Sequence, residues 1–324
     1  MALIAVGLST QIYNNHVKSF FLLLGFPLLL LSMLGFFFGA LAFLSQQQFG
    51  YAHTNWAEIA DYTIYGIKTY GNWALGITVC WFIIAYFFHG RLIRKASGSH
   101  PVTRQEYPKL YNLLENLCIS RGMRVPSFEI IESSALNAFS CGINNKSYKI
   151  VVTRGLLDAL KEDELEAVLA HELTHIINRD VRVLVIAVIF VGMISFFAEV
   201  LARLWLNPRI VRGGRRSGSN GLQAMIAMVV LWVGYLFALL IRFALSRKRE
   251  YLADAGAIEL TKNPDALMRA LIRIDGHDEI AAMNSMIHPM CIEHRSTWSL
   301  FSTHPSIRNR LKMISAMTHT PIPQ

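Results

Sequence analysis

Charge is scarce in this 324-residue sequence: charged residues make up 16% against 53% hydrophobic ones, and the mean hydropathy is +0.36. That balance excludes an ordinary soluble domain over the whole length. Acidic residues are the rarer sign, 22 against 31 basic, for a formal charge of +9. The basic residues gather beside apolar runs and form no polar stripe interleaved with aromatics. This argues against nucleic acid as a partner and for anionic lipid headgroups. Cysteine is also rare. Cys80, Cys118, Cys141 and Cys291 stand apart without a CxxC pair, which excludes a disulfide framework and a thiolate zinc knuckle and leaves isolated buried thiols. No internal repeat is present. Aromatic residues are plentiful, with 19 Phe, 11 Tyr and 6 Trp, and disorder is excluded for most of the chain.

The apolar residues fall into four runs. Ser19 to Leu44 is uncharged and, at about 1.5 Å per residue, long enough to cross a hydrocarbon core of roughly 30 Å. It is too long for the core of a signal peptide, and no A-x-A-like cleavage site follows Leu44. Trp73 to Phe88 is shorter and spans if its ends snorkel. Val183 to Leu206 and Leu222 to Leu245 flank a Gly- and Arg-rich loop. The organisation read from these runs is a membrane region over 1–90 with two transmembrane helices, a soluble domain's first part over 91–182, a hydrophobic hairpin over 183–245, and the domain's second part over 246–324. Lys18, Arg91, Arg94, Lys95, Arg179, Arg182, Arg242, Arg247, Lys248 and Arg249 flank the runs on the soluble domain's side, and the positive-inside bias places that side in the cytoplasm. Arg209, Arg212, Arg215 and Arg216 oppose the bias if the second hairpin crosses fully. Glu199 with Arg203 four residues on also interrupts its first half, so a spanning and a partly inserted hairpin both stand.

Lys161 to Asn178 reads KEDELEAVLAHELTHIIN, with apolar residues at helical spacing and acids in the first turn where the helix dipole prefers them. Within it His171 and His175 form an HExxH pattern. At i and i+4 they face one way and can reach one zinc, while Glu172 emerges beside them free to take a proton from an activated water and hand it to a leaving amine. Chance produces such a pattern roughly once in sixty chains of this composition, and a zinc site needs a third protein ligand. After the fourth run, Glu250 offers a carboxylate and Asp254, one turn on, an acceptor for a ligand imidazole. Alone, these two acids could equally be surface charges countering Arg247, Lys248 and Arg249.

These residues resemble the HtpX-type membrane zinc metallopeptidases, relatives of the CAAX prenyl proteases. The likeness covers most of the chain: two N-terminal spans, HELTH followed by Asn178 and Asp180, a hydrophobic hairpin, and EYLAD from Glu250 to Asp254. Asn137-Ala138-Phe139 and Thr303-His304-Pro305 with Arg310 look like the same family. The resemblance implies a predominantly α-helical multi-pass membrane protein with a zincin-like α+β metallopeptidase domain carrying a small β-sheet. It implies one Zn2+ per chain on His171, His175 and Glu250, with Glu172 as the base and Asp254 behind a ligand. Asn137 to Phe139 would be the family's edge strand, able to pair with an extended substrate; Ser127 to Ile131 and Tyr148 to Val152 read as strands beside it, with Asn144-Asn145 a turn. As residues alone, Asn137 reads equally as a turn residue and Phe139 as a core aromatic.

His304 is a candidate donor to the oxyanion of the scissile carbonyl, or part of a helix start with Pro305 in the first turn. Arg310 suits a salt bridge to an acid near the site. No Gly or Pro interrupts Lys161 to Val191, so the zinc helix is expected to run straight into the third apolar run, placing the metal near the headgroups. The expected function is an endopeptidase in a bacterial inner membrane, its active site facing the cytoplasm, which cleaves misfolded or damaged membrane proteins and unfolded proteins. A non-catalytic scaffold or transporter with a structural HExxH helix and a prenyl-protein protease are the competing readings, and the ligand types also suit other divalent metals.

Overall fold

The computed structural model describes residues 8–48, 53–189, 231–232, 234–235, 247–277 and 305–323. The chain divides into two compact units, one of Met1–Ser19, Phe87–Val188 and Arg242–Gln324 and the other of Phe20–Tyr86 and Ile189–Ile241. Most of the expected hairpin over 183–245, including Glu199, Arg203 and the arginine loop, lies outside the described residues.

The chain forms two long helices, α1 (Leu8–Gln48) and α2 (Trp56–Ser97), whose parts from Phe20 to Tyr86 belong to the second unit and whose outer ends belong to the first. Pro27–Gln47 and Trp56–Ser97 are long and apolar enough to cross a membrane, with mean hydropathies of 2.3 and 1.6. Only 11% and 17% of these windows are buried. Apolar surface left uncovered on this scale suits lipid and not the interior of a soluble core. The expected short second span is thus part of a 42-residue helix, about 63 Å long, and its length sets no limit on crossing. The two helices lie antiparallel. Gly35, Gly39 and Gly71 face Ile67, Thr63 and Leu31, and the Phe38 ring stacks on Tyr70 at 5.4 Å over bare Gly66, where a Cβ would overlap it. Gln46 closes the end of the hairpin, its amide bonding the Asn55 main chain and Glu58. Cys80 is exposed on α2, unlike the buried Cys118 and Cys141, because it sits on that outward apolar face; Cys291 lies outside the described residues.

The first unit is built on a four-stranded mixed sheet in the order β1-β2-β4-β3. Its strands are β1 (His100–Pro101), β2 (Ser127–Ile131), β3 (Ala138–Cys141) and β4 (Lys149–Thr153). β2 and β4 are parallel, with Ser127 opposite Lys149, and β3 runs antiparallel to β4, with Ala138 opposite Val152. The central KIVVT run is buried throughout, as a β-branched strand covered on both faces must be. Asn144 turns the chain into β4, its side-chain oxygen accepting from the Lys146 and Ser147 amides.

Helices α3 (Pro108–Ile119), α4 (Arg154–Ala159), α5 (Glu162–Ile177), α6 (Arg247–Thr261), α7 (Pro264–Ile274) and α8 (Ile307–Thr318) complete the unit. Phe128, Ile130, Phe139, Ile150, Leu114, Leu169, Leu173 and Ile176 are fully enclosed and hold sheet and helices together. Pro305 precedes the cap residue Ser306 and so stands outside α8, not in its first turn; the helix starts on the Ser306 hydroxyl, which accepts from the Asn309 amide.

A buried charge cluster ties the end of α2 to the sheet. Glu129 on β2 is 1% exposed and accepts from Arg94 Nε and Nη2 at 2.9 and 2.6 Å, Lys149 Nζ at 2.8 Å and Ser99 Oγ at 2.6 Å. Lys149 also donates to the Gly90 carbonyl at 3.0 Å. Arg94, expected among the headgroup-facing cations, is engaged here.

Candidate metal centre

Helix α5 starts where Lys161 turns from extended backbone and its amide is taken by the Glu164 carboxylate at 3.0 Å. Glu164, fully buried, is also gripped by Arg269 and Arg273 of α7, which anchors the helix start. Two turns on, His171 and His175 share one face, with Nε2 atoms 3.2 Å apart. From α6, Glu250 approaches both: its oxygens lie 3.6 Å from His171 Nε2 and 3.5 Å from His175 Nε2.

Two ligands at about 2.0–2.1 Å from a tetrahedral zinc are separated by about 3.3–3.4 Å; the His171 and His175 Nε2 atoms, 3.2 Å apart, meet that edge, while the two Glu250 contacts are made by its two different oxygens. The residues therefore fit a zinc ion in ligand type, and one ligand atom from each lies within 4.8 Å of the others. Charge points the same way. Glu172, Asp180, Glu250 and Asp254 are buried carboxylates, each at most 3% exposed, while Arg249 and Arg310 are the two buried guanidiniums among them. Among the described residues, and with both imidazoles neutral as a bound metal requires, these carboxylates exceed the guanidiniums by two, the charge of one divalent cation.

Each histidine is held from behind. Asp254 Oδ1 lies 3.1 Å from His171 Nδ1 and is itself clasped by Arg310, through Nε at 3.0 Å and Nη2 at 2.6 Å. Burial would raise the Asp254 carboxyl, but the Arg310 charge and the hydrogen bonds from His171 and Arg310 outweigh it and hold it below its usual range. Burial and Arg310 push the His171 imidazole down. The Asp254 and Glu250 carboxylates prevail, so it keeps a proton up to about 9, one that a metal must displace. On the other side Asp180 Oδ2 lies 3.2 Å from His175 Nδ1, and Arg249 Nε stands 3.5 Å from Asp180 Oδ1. An imidazole that donates from Nδ1 presents the Nε2 lone pair, so both rings are oriented toward Glu250.

Asp180 reaches His175 only because the helix breaks. The expected straight run from the HExxH helix to Val191 does not occur: α5 ends at Ile177, Asn178 caps it, and Arg179 takes a left-handed φ of 59° before residues 180–189 resume a helix. Five residues along a continuous helix would place Asp180 about 140° around the axis from His175; the turn at Arg179 swings it back. Uninterrupted helix formers conceal such a break, so nothing but the bare Asn178-Arg179-Asp180 sequence signalled it. Arg249 is a second correction. Read as a cation at the membrane surface, it is 5% exposed and packed against Asp180. Its position directly before Glu250 was the available signal.

The structure thus brings together His171, His175, Glu250, Asp254 and Arg310, with Glu172 buried next to His171 in the sequence, and adds Asp180 and Arg249. His304 lies outside the described residues. Ala138 and Phe139 lie on β3, an edge strand of the sheet, with Asn137 just before it. The Phe139 side chain is completely buried, as a core aromatic is. Since the Asn137 carbonyl accepts from the Thr153 amide, the alternation of an antiparallel ladder turns the main-chain groups of Ala138 and Ser140 toward the outer edge. Ser140 is the edge residue that the motif omitted.

The model of peptidase family M48 matches residues 104–318. A protein named Protease HtpX homolog from Bacteroides fragilis (strain YCH46) is 40% identical over 321 residues, covering 95% of this chain and 98% of the relative. One of the same name from Dictyoglomus turgidum is 36% identical over 254 residues, 75% of this chain and 82% of its own. Among solved structures, S. mikatae Ste24p aligns with a TM-score of 0.48 and 21% identity, covering 76% of this chain and 60% of that one, a likeness too loose for comparing sites.

Proposed function

The chain belongs to peptidase family M48, and from that premise we propose that it is a zinc-dependent membrane endopeptidase that cleaves misfolded or damaged membrane proteins and unfolded segments at the cytoplasmic face of a bacterial inner membrane. The observation that carries the reading is the cluster of His171, His175 and Glu250, one ligand atom from each within 4.8 Å of the others, with Glu172 next to His171 in the sequence.

His171, His175 and Glu250 would hold the metal, leaving a fourth position open. Zinc, when bound, supplies Lewis acidity and makes water nucleophilic near neutral pH. Glu172, 2% exposed and one residue from a ligand, accepts the proton of the attacking water and returns it to the leaving amine. Asp254 and Asp180 hold the imidazoles in the tautomer that points Nε2 inward. The Ala138 carbonyl and the Ser140 main chain are the groups an extended substrate would pair with as an added strand, the Ala138 amide being held by Asn137 Oδ1. His304 is assigned to the oxyanion through the family resemblance.

Two helices long and apolar enough to cross a membrane, and cations flanking the apolar runs, support anchoring among anionic lipids. An anchored protease meets substrates confined to the same surface. Metal content by mass spectrometry and casein cleavage test the reading together. We expect about one zinc per chain and cleavage in wild type, neither in His171→Ala/His175→Ala, and zinc with activity lowered roughly 10²–10⁴-fold in Glu172→Gln. A folded wild type without metal refutes it.

A further inference from the structure

We propose that Gly256 and Thr174 form the spacer that sets the distance between the HExxH helix and the helix of the third ligand, and so are positioning residues for the metal centre. The inference rests on the metal-binding reading of His171, His175 and Glu250. Thr174 stands between those histidines in sequence, and Gly256 lies two residues beyond Asp254 on α6. A Cβ built on Gly256 meets both arms of Thr174: it would lie 2.9 Å from Oγ1 and 3.2 Å from Thr174 Cβ, and closer still to Cγ2. Thr174 is 4% exposed and its hydroxyl donates to the Ala170 carbonyl at 2.8 Å, so it has neither room nor freedom to turn aside.

The surrounding contact is equally close. Ala167 and Ala170 on α5 and Ala253 and Ala257 on α6 are wholly buried, and these two helices share a more extensive contact than any other pair of elements among the described residues. Small side chains let helix backbones approach, and the one with no side chain sits opposite Thr174, the β-branched residue of the HExxH core. Ordinary carbon contacts need about 3.5–4.0 Å, so an alanine at 256, whose tightest contact is with Thr174 Cγ2, must push α6 outward by roughly one ångström or more. Metal–ligand distances tolerate about 0.2 Å. The same shift carries Glu250 away from both histidines and Asp254 away from His171, weakening a ligand and its neighbour's support together.

The test uses the full chain in detergent, with zinc affinity measured by competition against a chromophoric chelator and folding followed by circular dichroism. Gly256→Ala should bind zinc about 10–100-fold more weakly than wild type, the loss typical when support of a ligand is disturbed. Thr174→Ala/Gly256→Ala, which clears both arms, should return to within about threefold of wild type. If Gly256→Ala fails to fold, recovery of fold and zinc in the double variant supports the spacer, and its absence overturns it. Wild-type affinity in Gly256→Ala, or a folded double variant no tighter than the single, overturns the inference alone. A wild type that binds no zinc overturns the metal-centre reading itself.

Discussion

Replacing Glu129 by glutamine tests the charge cluster beneath the sheet, away from the metal. The carboxylate accepts from Arg94, Lys149 and Ser99, but the two cations are not equivalent: the Arg94 side chain is 43% exposed and the Lys149 side chain 6%. Once the carboxylate is gone Arg94 can turn to water, at a cost of at most about 1 kcal/mol. Lys149 cannot, and an uncompensated buried charge costs about 3–5 kcal/mol. At about 2–4 °C per kcal/mol for a unit of this size, the thermal midpoint should fall by roughly 6–20 °C, read by tryptophan fluorescence at one fixed scan rate. Adding Lys149→Met should recover most of the loss, since it removes the stranded buried charge and leaves a neutral amide that Ser99 can still bond. The effect also depends on pH with a definite sign. Burial raises the Glu129 carboxyl, yet the Arg94, Lys149 and Ser99 hydrogen bonds outweigh it and hold it below its ordinary value of 4.5. A depressed folded value gives stability that is complete above the unfolded one and is lost as pH falls through the folded one. Wild type and Glu129→Gln should therefore differ fully at pH 7 and converge well below about pH 4.5. A midpoint change under about 2 °C, or a gap that persists in acid, would refute the reasoning.

Three further outcomes follow from the geometry. Asp180→Ala should weaken zinc binding by about 10–100-fold in a chelator titration, through loss of the His175 contact; an unchanged affinity contradicts its placement. Arg179→Gly should hold or raise stability by about 1 kcal/mol, since glycine adopts the left-handed turn without strain, whereas Arg179→Val should cost more than that and also loosen zinc. Arg310→Met strands fully buried Asp254 and should destabilise by about 3–5 kcal/mol in a denaturant titration of the purified protein, a loss that Asp254→Asn on top should reduce.

Much of the metal centre was legible in the sequence because its geometry is local. His171 and His175 are one helical turn apart, so their common face follows from 3.6 residues per turn, and Asp254 stands in the same relation to Glu250. The sheet was legible for a similar reason: Ser127–Ile131 is a strand as read, and β4 lies one residue along from its expected place. The break after Ile177 was not legible, because every residue from Lys161 to Val191 tolerates a helix and the alternative gains only through a contact made in three dimensions. Arg249 was misread for the same kind of reason. Charge next to an apolar run implies a headgroup unless the fold supplies a carboxylate, and Asp180 is 69 residues away in sequence.

By itself, then, the sequence determined which residues could ligate a metal, which runs are apolar enough for a membrane, and that a helix carries HExxH and strands lie near Ser127 and Lys149, since all of these depend on neighbours a few positions apart. Only the tertiary structure decided how closely α5 and α6 approach, that Asp180 and not a surface cation's partner stands behind His175, and that Glu129 binds the end of α2 to the sheet. Those depend on contacts between distant segments, whose free energy belongs to the packed arrangement and leaves no periodic mark on the chain.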